Sequence, residues 1–150
     1  MMRLPPFRYL APLSVVEAAR LQAEHGPEAM FVAGGTDLYP NMKRRQFEPK
    51  VLVGLRGLKE LVGVRGEPRT GLTIGAGTTL TDVSEHAGVC EHFPALAVAA
   101  GLVSTPPLRN MGTIGGNVCV DPRCNYYNQS YQWRRAIGFC MKKDGDICLV

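Results

Sequence analysis

Two glycine pairs, each flanked by threonine and set beside an apolar run, constrain this chain more than any other feature. The first follows Ala29-Met30-Phe31-Val32-Ala33 and reads Gly34-Gly35-Thr36-Asp37; the second reads Thr113-Ile114-Gly115-Gly116-Asn117. Glycine lets consecutive backbone N–H groups converge on one anion and, lacking Cβ, lets a phosphate approach the main chain closely. Thr36 and Thr113 can add hydroxyl donors, and a helix starting at Thr36 would add its positive dipole end. Taken singly, each pair is most simply a turn; together they read as one anion site as readily as two turns. Neither has the Lys-Ser or Lys-Thr of a P-loop or the Gly-x-Gly-x-x-Gly of a Rossmann turn. A diphosphate held between two separated loops fits the pattern better than either.

The segments around these pairs predict an α+β arrangement rather than a regular βαβ repeat. Ser14 and Glu17 form a capping box for a helix over 14–25, which Gly26 stops in a left-handed conformation. Residues 29–33 make a short strand, so strand, glycine loop and helix opening follow in order. Lys50 to Gly54 reads as a buried strand, 58–61 as a single helical turn, and 62–65 with 72–75 as a hairpin around a long polar turn. Thr81 caps a short helix to His86. Pro94 to Val103 is apolar enough for a helix buried on most sides, ended by Pro106-Pro107. The one boundary candidate lies near 55–60, dividing the chain into 1–57 and 58–150. The apolar run Ile147-Cys-Leu-Val150 reads as a strand that stops short, as in a fragment of a longer protein.

Composition narrows the class. With 45% hydrophobic and 20% charged residues in 150, the chain is globular, and its 17 Gly and 11 Pro call for many turns. No stretch reaches membrane-spanning length and the N-terminus lacks a signal peptide's apolar core, so a cytoplasmic protein is expected. A net charge of +4 is too small and dispersed for nucleic-acid binding, and five cysteines suit no disulfide framework. Reduced thiols or metal ligands are the better readings.

Three segments, Phe31-Val32-Ala33-Gly34-Gly35-Thr36-Asp37-Leu38, Leu72-Thr-Ile-Gly-Ala-Gly-Thr-Thr-Leu80 and Arg109-Asn-Met-Gly-Thr-Ile-Gly-Gly-Asn117, resemble the signature segments of the FAD-binding subunit of molybdenum hydroxylases, the xanthine and carbon monoxide dehydrogenase group. The resemblance covers roughly residues 4–120 and implies an α+β FAD-binding fold of the vanillyl-alcohol oxidase or molybdopterin dehydrogenase type, truncated at its C-terminus. It implies two FAD-binding subdomains, the second incomplete and carrying a cysteine-bearing insertion at 119–150. Phe31 to Leu38 would wrap the FAD pyrophosphate, Thr113, Ile114, Gly115, Gly116 and Asn117 would close over the diphosphate and ribityl region, and Val103 would place an apolar side chain near the flavin.

After Asn117 the pattern departs, leaving the ribityl-side contact unassigned between Asp121 and Asn125. The inserted segment with Cys124, Cys140 and Cys148 is similar to the beta-subunit branch of 4-hydroxybenzoyl-CoA reductase, whose members carry an extra [4Fe–4S] cluster beside FAD. By that resemblance Cys124, Cys140 and Cys148 are cluster ligands and the fourth ligand lies beyond Val150. Spacing alone does not show this, because the tight Cys-x-x-Cys of ferredoxins and zinc ribbons is absent, and buried structural thiols are as good a reading. Cys90 and Cys119 are taken as structural.

The resulting expectation is an oxidoreductase subunit: a flavin and iron–sulfur electron-transfer component of a 4-hydroxybenzoyl-CoA reductase. No catalytic residue is named, since substrate would react in a molybdenum-binding large subunit, with [2Fe–2S] clusters in a small one. The alternatives are the FAD subunit of a conventional xanthine or CO dehydrogenase-like hydroxylase without the extra cluster, a cofactor-free scaffold, and a zinc-stabilised module. His25, His86 and His92 lack metal-binding spacing. Tyr126, Tyr127, Tyr131 and Trp133 suit packing or a partner interface. Arg134, Arg135, Lys142 and Lys143 are most simply a solvated face, or a docking patch for an acidic carrier such as ferredoxin.

Overall fold

The computed structural model describes residues 3–121 and 123–150. Its first half is a three-stranded parallel sheet, β1 (Arg8–Leu10), β2 (Ala29–Val32) and β3 (Val51–Gly54), in the order β1-β3-β2. Val51 is the partner of both Arg8 and Ala29, so β3 lies centrally with all four residues buried. Its Val-Leu-Val run is what a strand covered on both faces requires. Alternation divides it: Val51 and Val53 pack with Ala18, Ala29 and Leu58 on one face, while Leu52 packs with Val32 and Met42 on the other.

The covers are α1 (Val15–His25) and α2 (Leu38–Lys43). The Ser14 hydroxyl accepts the Glu17 N–H as expected, but the Glu17 carboxylate reaches one residue further back, to the Leu13 N–H at 2.8 Å. Gly26 has the positive φ required (+52°), and its N–H donates to the Gln22 carbonyl, closing α1.

The second half begins with the hairpin β4 (Val64–Glu67) and β5 (Gly71–Ile74), whose turn is shorter than expected because pairing extends to Glu67 and Gly71. Four helices follow: α3 (Leu80–Glu85), α4 (Ala87–His92), α5 (Pro94–Leu102) and α6 (Pro106–Arg109). Their core is Leu80, Val83, Val89, Ala97 and Ala100.

Several expectations are corrected here. The cap of α3 is Thr79, whose hydroxyl accepts the Asp82 N–H; Thr81 instead hydrogen-bonds Asn110. Helix α5 forms, but it buries only Ala97 and Ala100 and leaves Val98 and Leu102 exposed. The two prolines do not end it; they open α6, where their missing N–H groups leave no helical bond unmade. The second glycine pair is not a loop but part of a short helix, α7 (Ile114–Val118). The cysteine-bearing segment contains α8 (Tyr131–Ala136), and residues 147–150 are irregular rather than a strand. Cys90 and Cys119, taken as structural, are both exposed. No helix among the described residues is long and apolar enough to cross a membrane.

Candidate functional site

Parallel pairing puts the carboxyl ends of β2 and β3 side by side, and the chain leaves both at the same sheet edge. The first exit is Ala33-Gly34-Gly35-Thr36-Asp37 and the second is Leu55-Arg56. Open parallel sheets bind ligands at that edge, where loops and unpaired main-chain groups collect. Here Ala33, Gly34, Leu55 and Arg56 line a cleft of about 60 Å³, closed from the other side by Gly77, Thr79, Asn110, Met111 and Thr113. The cleft is small and open, with room for part of a ligand rather than a whole dinucleotide.

The two glycine segments therefore meet. A Cβ built on Gly34 would fall on the Met111 carbonyl oxygen, and one on Gly112 would come within 3.4 Å of the Thr36 hydroxyl. Gly35 is required twice over: its φ is +70°, and a Cβ there would run into the Tyr39 ring. Among the described residues the N–H groups of Gly34, Gly35, Thr36 and Asp37 donate to no protein acceptor. Four successive unpaired amides at a strand end, with the exposed Arg56 beside them, itself without a partner among the described residues, form an anion-attracting edge.

The second segment does not contribute in the manner expected. Its N–H groups are already taken: Ile114 donates to Thr78 at 2.9 Å, Gly115 to Ala76 at 2.9 Å, and Gly116 to the Thr113 hydroxyl at 3.1 Å. Glycine at 115 is needed for a different reason, since a Cβ there would lie 2.7 Å from the Ala76 carbonyl. The bridge between Thr79 and Thr113 ties this helix start to the segment after β5. The second pair is a packing solution against Ala76, and the far wall of the cleft is built by the residues just before it, Asn110, Met111 and Thr113.

The remaining candidates divide accordingly. Val32 and Leu38 belong to the core beneath the sheet, and Ile114 and Val103 pack into the second core. Phe31 is 44% exposed, and Asn117 is at the surface. Gly77, Thr79, Asn110 and Met111 lie in the signature segments but were given no role from sequence, and Arg56 lies outside them. The signal for Arg56 was its place two residues past a buried strand, which becomes meaningful only once the strands are parallel.

Helix α2 joins this edge to the cysteine-bearing segment. Asp37 at its start is ion-paired with Arg123 and accepts from the Asn41 amide at 2.8 Å. At its other end the buried Arg134 donates to the Arg45 carbonyl at 3.1 Å, and Gln46 donates to the Tyr127 carbonyl. Burial, with the Asp121 charge second, raises the Tyr127 phenol above its ordinary range, against an opposing pull from Arg134.

Cys140 is buried, Cys124 partly so and Cys148 exposed. Among the described residues no three His, Cys, Asp or Glu side chains converge as a metal-binding group. As folded here, these thiols do not fit a four-thiolate cluster.

Residues 5–131 match the family described as the FAD binding domain in molybdopterin dehydrogenase. The chain belongs to that family. It is 42% identical over 114 residues to the carbon monoxide dehydrogenase medium chain of Hydrogenophaga pseudoflava, covering 76% of this chain and 39% of that one. It is 40% identical over 114 residues to the nicotinate dehydrogenase FAD-subunit of Eubacterium barkeri, covering 75% and 38%. Among solved structures, carbon monoxide dehydrogenase from Hydrogenophaga pseudoflava superposes with a TM-score of 0.74 at 41% identity, over 78% of this chain and 40% of that one. The quinoline 2-oxidoreductase of Pseudomonas putida gives 0.70 at 32% identity, over 77% and 40%. The fold is thus the mixed helix-and-sheet FAD-binding type that the signature segments implied. The chain spans about two fifths of the length of these relatives, and the family match ends at residue 131, ahead of Cys140 and Cys148.

Proposed function

We propose that this chain is the FAD-binding portion of an electron-transfer subunit in a molybdenum hydroxylase. The observation that carries the reading is the run of four unpaired N–H groups at Gly34 to Asp37, beside Arg56 and a cleft walled by the second glycine segment. The FAD diphosphate would lie on these amides, with Arg56 and the Thr36 hydroxyl adding donors. Phe31 and Val32 through Leu38 carry the loop, Thr113 through Asn117 support its opposite wall, and Val103 stiffens the core behind that wall. FAD, once bound, supplies the redox chemistry; the protein holds its phosphates and excludes water from one side. No acid, base or nucleophile of this chain takes part. Residues 1–57 would act as one subdomain, supplying the amide edge, and 58–150 as a second, supplying the wall.

The relatives include a carbon monoxide dehydrogenase medium chain and a nicotinate dehydrogenase FAD-subunit, names that favour a conventional hydroxylase subunit over a 4-hydroxybenzoyl-CoA reductase. Partners would be a molybdenum-binding large subunit and a [2Fe–2S] small subunit. The reductase reading, with a [4Fe–4S] cluster on Cys124, Cys140 and Cys148 and ferredoxin as carrier, requires those thiols to regroup. Iron analysis of the purified protein separates the two: flavin without iron supports the conventional subunit, and about four irons per flavin the reductase.

The primary test is FAD titration followed by flavin fluorescence. Wild type should bind with one-to-one stoichiometry, and Arg56→Gln should weaken binding without altering thermal stability. Undiminished affinity in Arg56→Gln, or no uptake by wild type, would reject the site.

A further inference from the structure

A second concavity, far larger than the cleft, lies at the other end of α2. It is an open groove of about 630 Å³ formed by Arg3 of the N-terminal segment, the end of α2 with the residues after it, and Tyr131, Gln132, Lys143 and Asp144 of the cysteine-bearing segment. Its volume falls within the 300–1,000 Å³ range of small-molecule sites. Four cations, Arg3, Lys43, Arg45 and Lys143, face two carboxylates, Glu48 and Asp144. The carboxylates do not neutralise it. Glu48 is engaged by Arg45 at 3.2 Å, and Lys143 is held at the Gln46 carbonyl at 2.8 Å, which leaves it two further N–H donors. Among the described residues, Arg3 and Lys43 have no partner.

Two further observations point the same way. Arg134, 1% exposed, hydrogen-bonds the Arg44 and Arg45 carbonyls and lies 6.0 Å from the centre of the Phe139 ring, yet among the described residues its Nε and Nη1 have no hydrogen-bond partner. A guanidinium keeps its charge when buried, so this cation, which has no carboxylate partner among the described residues, adds positive potential from a region of low dielectric. In addition, Arg45 and Asp144, both in the lining, hold φ values of +60° and +63°. Such conformations cost free energy in non-glycine residues and collect at ligand-binding positions. Tyr131 supplies a flat wall: the residue is 40% exposed and its ring is braced by Phe139 at 5.9 Å between centroids.

We propose that this groove binds a phosphorylated small molecule with at least two negative charges and a planar ring, of which a nucleoside diphosphate is the simplest. The phosphates would sit between Arg3, Lys43 and Lys143, and the ring would stack on Tyr131. The site is distinct from the amide edge at Gly34 to Asp37, which α2 separates from it by roughly 9 Å along its axis.

The test is calorimetric titration of ADP into the chain loaded with one equivalent of FAD and freed of excess, so that the other anion site is blocked and no free FAD competes for the groove. The expected result is saturable binding weakened about tenfold or more in the double variant Arg3→Gln, Lys43→Gln, with FAD affinity unchanged. Tyr131→Ala should weaken ADP but not pyrophosphate. Absence of ADP binding at millimolar concentration, or equal binding by the double variant, overturns the proposal. Pyrophosphate binding as tight as ADP overturns its nucleotide form. If the chain takes up no FAD, the same titration of the unliganded protein and the double variant still decides the groove, while the FAD reading fails separately. Circular dichroism establishes that each variant is folded; these exposed side chains lie outside all three core clusters.

Discussion

The Asp37 carboxylate is ion-paired with Arg123, 86 residues away, and this contact joins the glycine loop to the segment that bears the cysteines. Its consequence for stability depends on the second bond that Asp37 makes. The Arg123 side chain is 56% exposed, so the pair contributes about 0–1 kcal/mol. Asn41 is 4% exposed, and its amide donates to the same carboxylate. Removing that acceptor leaves a buried donor unpaired at a cost of about 1–3 kcal/mol. Arg123→Ala should therefore shift the urea midpoint little, and Asp37→Ala clearly more. Equal effects would mean that Asp37 acts through Arg123 rather than Asn41.

The two glycines of the second pair should respond differently to alanine. Both lie in α7, where replacing glycine favours the helix by up to about 1 kcal/mol. At Gly115 the added methyl meets the Ala76 carbonyl and Cβ at 2.7 Å. That backbone is fixed by the hydrogen bonds from Ile114 and Gly115, so relaxation is blocked. Overpacking of about 1–3 kcal/mol then outweighs the propensity gain, and Gly115→Ala should lower the melting temperature. At Gly116 the nearest atom is the Thr113 hydroxyl at 3.1 Å, and the position is exposed. Gly116→Ala should lower it less. The reverse order in a thermal scan would refute the packing role assigned to Gly115.

These glycines also show what the sequence could reveal and what it could not. Ser14 with Glu17, and the Val51-Leu52-Val53 run, are local signals, and both elements formed where expected. Ile114-Gly-Gly-Asn117 is a poor helix by propensity and reads as a loop; it becomes helical because Thr113 caps it and the carbonyls of Ala76 and Thr78 hold its first amides. The sequence puts the cap of α3 at Thr81, and packing against the 108–113 segment moves it to Thr79. Arg56 carries no motif. Its position in the cleft follows from strand order, which is a long-range property. The meeting of the two glycine segments was legible from motif resemblance, whereas the internal pairing of the second segment's amides required coordinates.

Thr113 should therefore matter through its hydroxyl. It is 8% exposed, and its oxygen caps α7 by accepting the Gly116 N–H. Thr113→Ala removes the cap and should cost about 0.5–2 kcal/mol in a denaturant titration, while Thr113→Ser, which keeps the acceptor, should lose markedly less. Similar losses in both variants would point to the methyl group and its packing instead.

Tyr127 provides a pH readout of how the cysteine-bearing segment docks. The residue is 5% exposed, and burial, followed by the Asp121 charge, raises its phenol above the ordinary value of 10.0. The folded state thus holds the phenolic proton more tightly than the unfolded chain does. Stability from this group is complete below pH 10 and is lost as pH rises from there through the higher folded value, because the unfolded chain ionises first. Tyr127→Phe cannot ionise, so its stability should fall less steeply than wild type above pH 10 while the two remain parallel near neutrality. The measurement is urea unfolding at a series of pH values from 8 upward, corrected for the other tyrosines by comparison with Tyr9→Phe, whose side chain is 50% exposed. Parallel curves throughout would show that Tyr127 meets solvent in the folded protein and that the segment from Cys124 onward is not packed on Gln46.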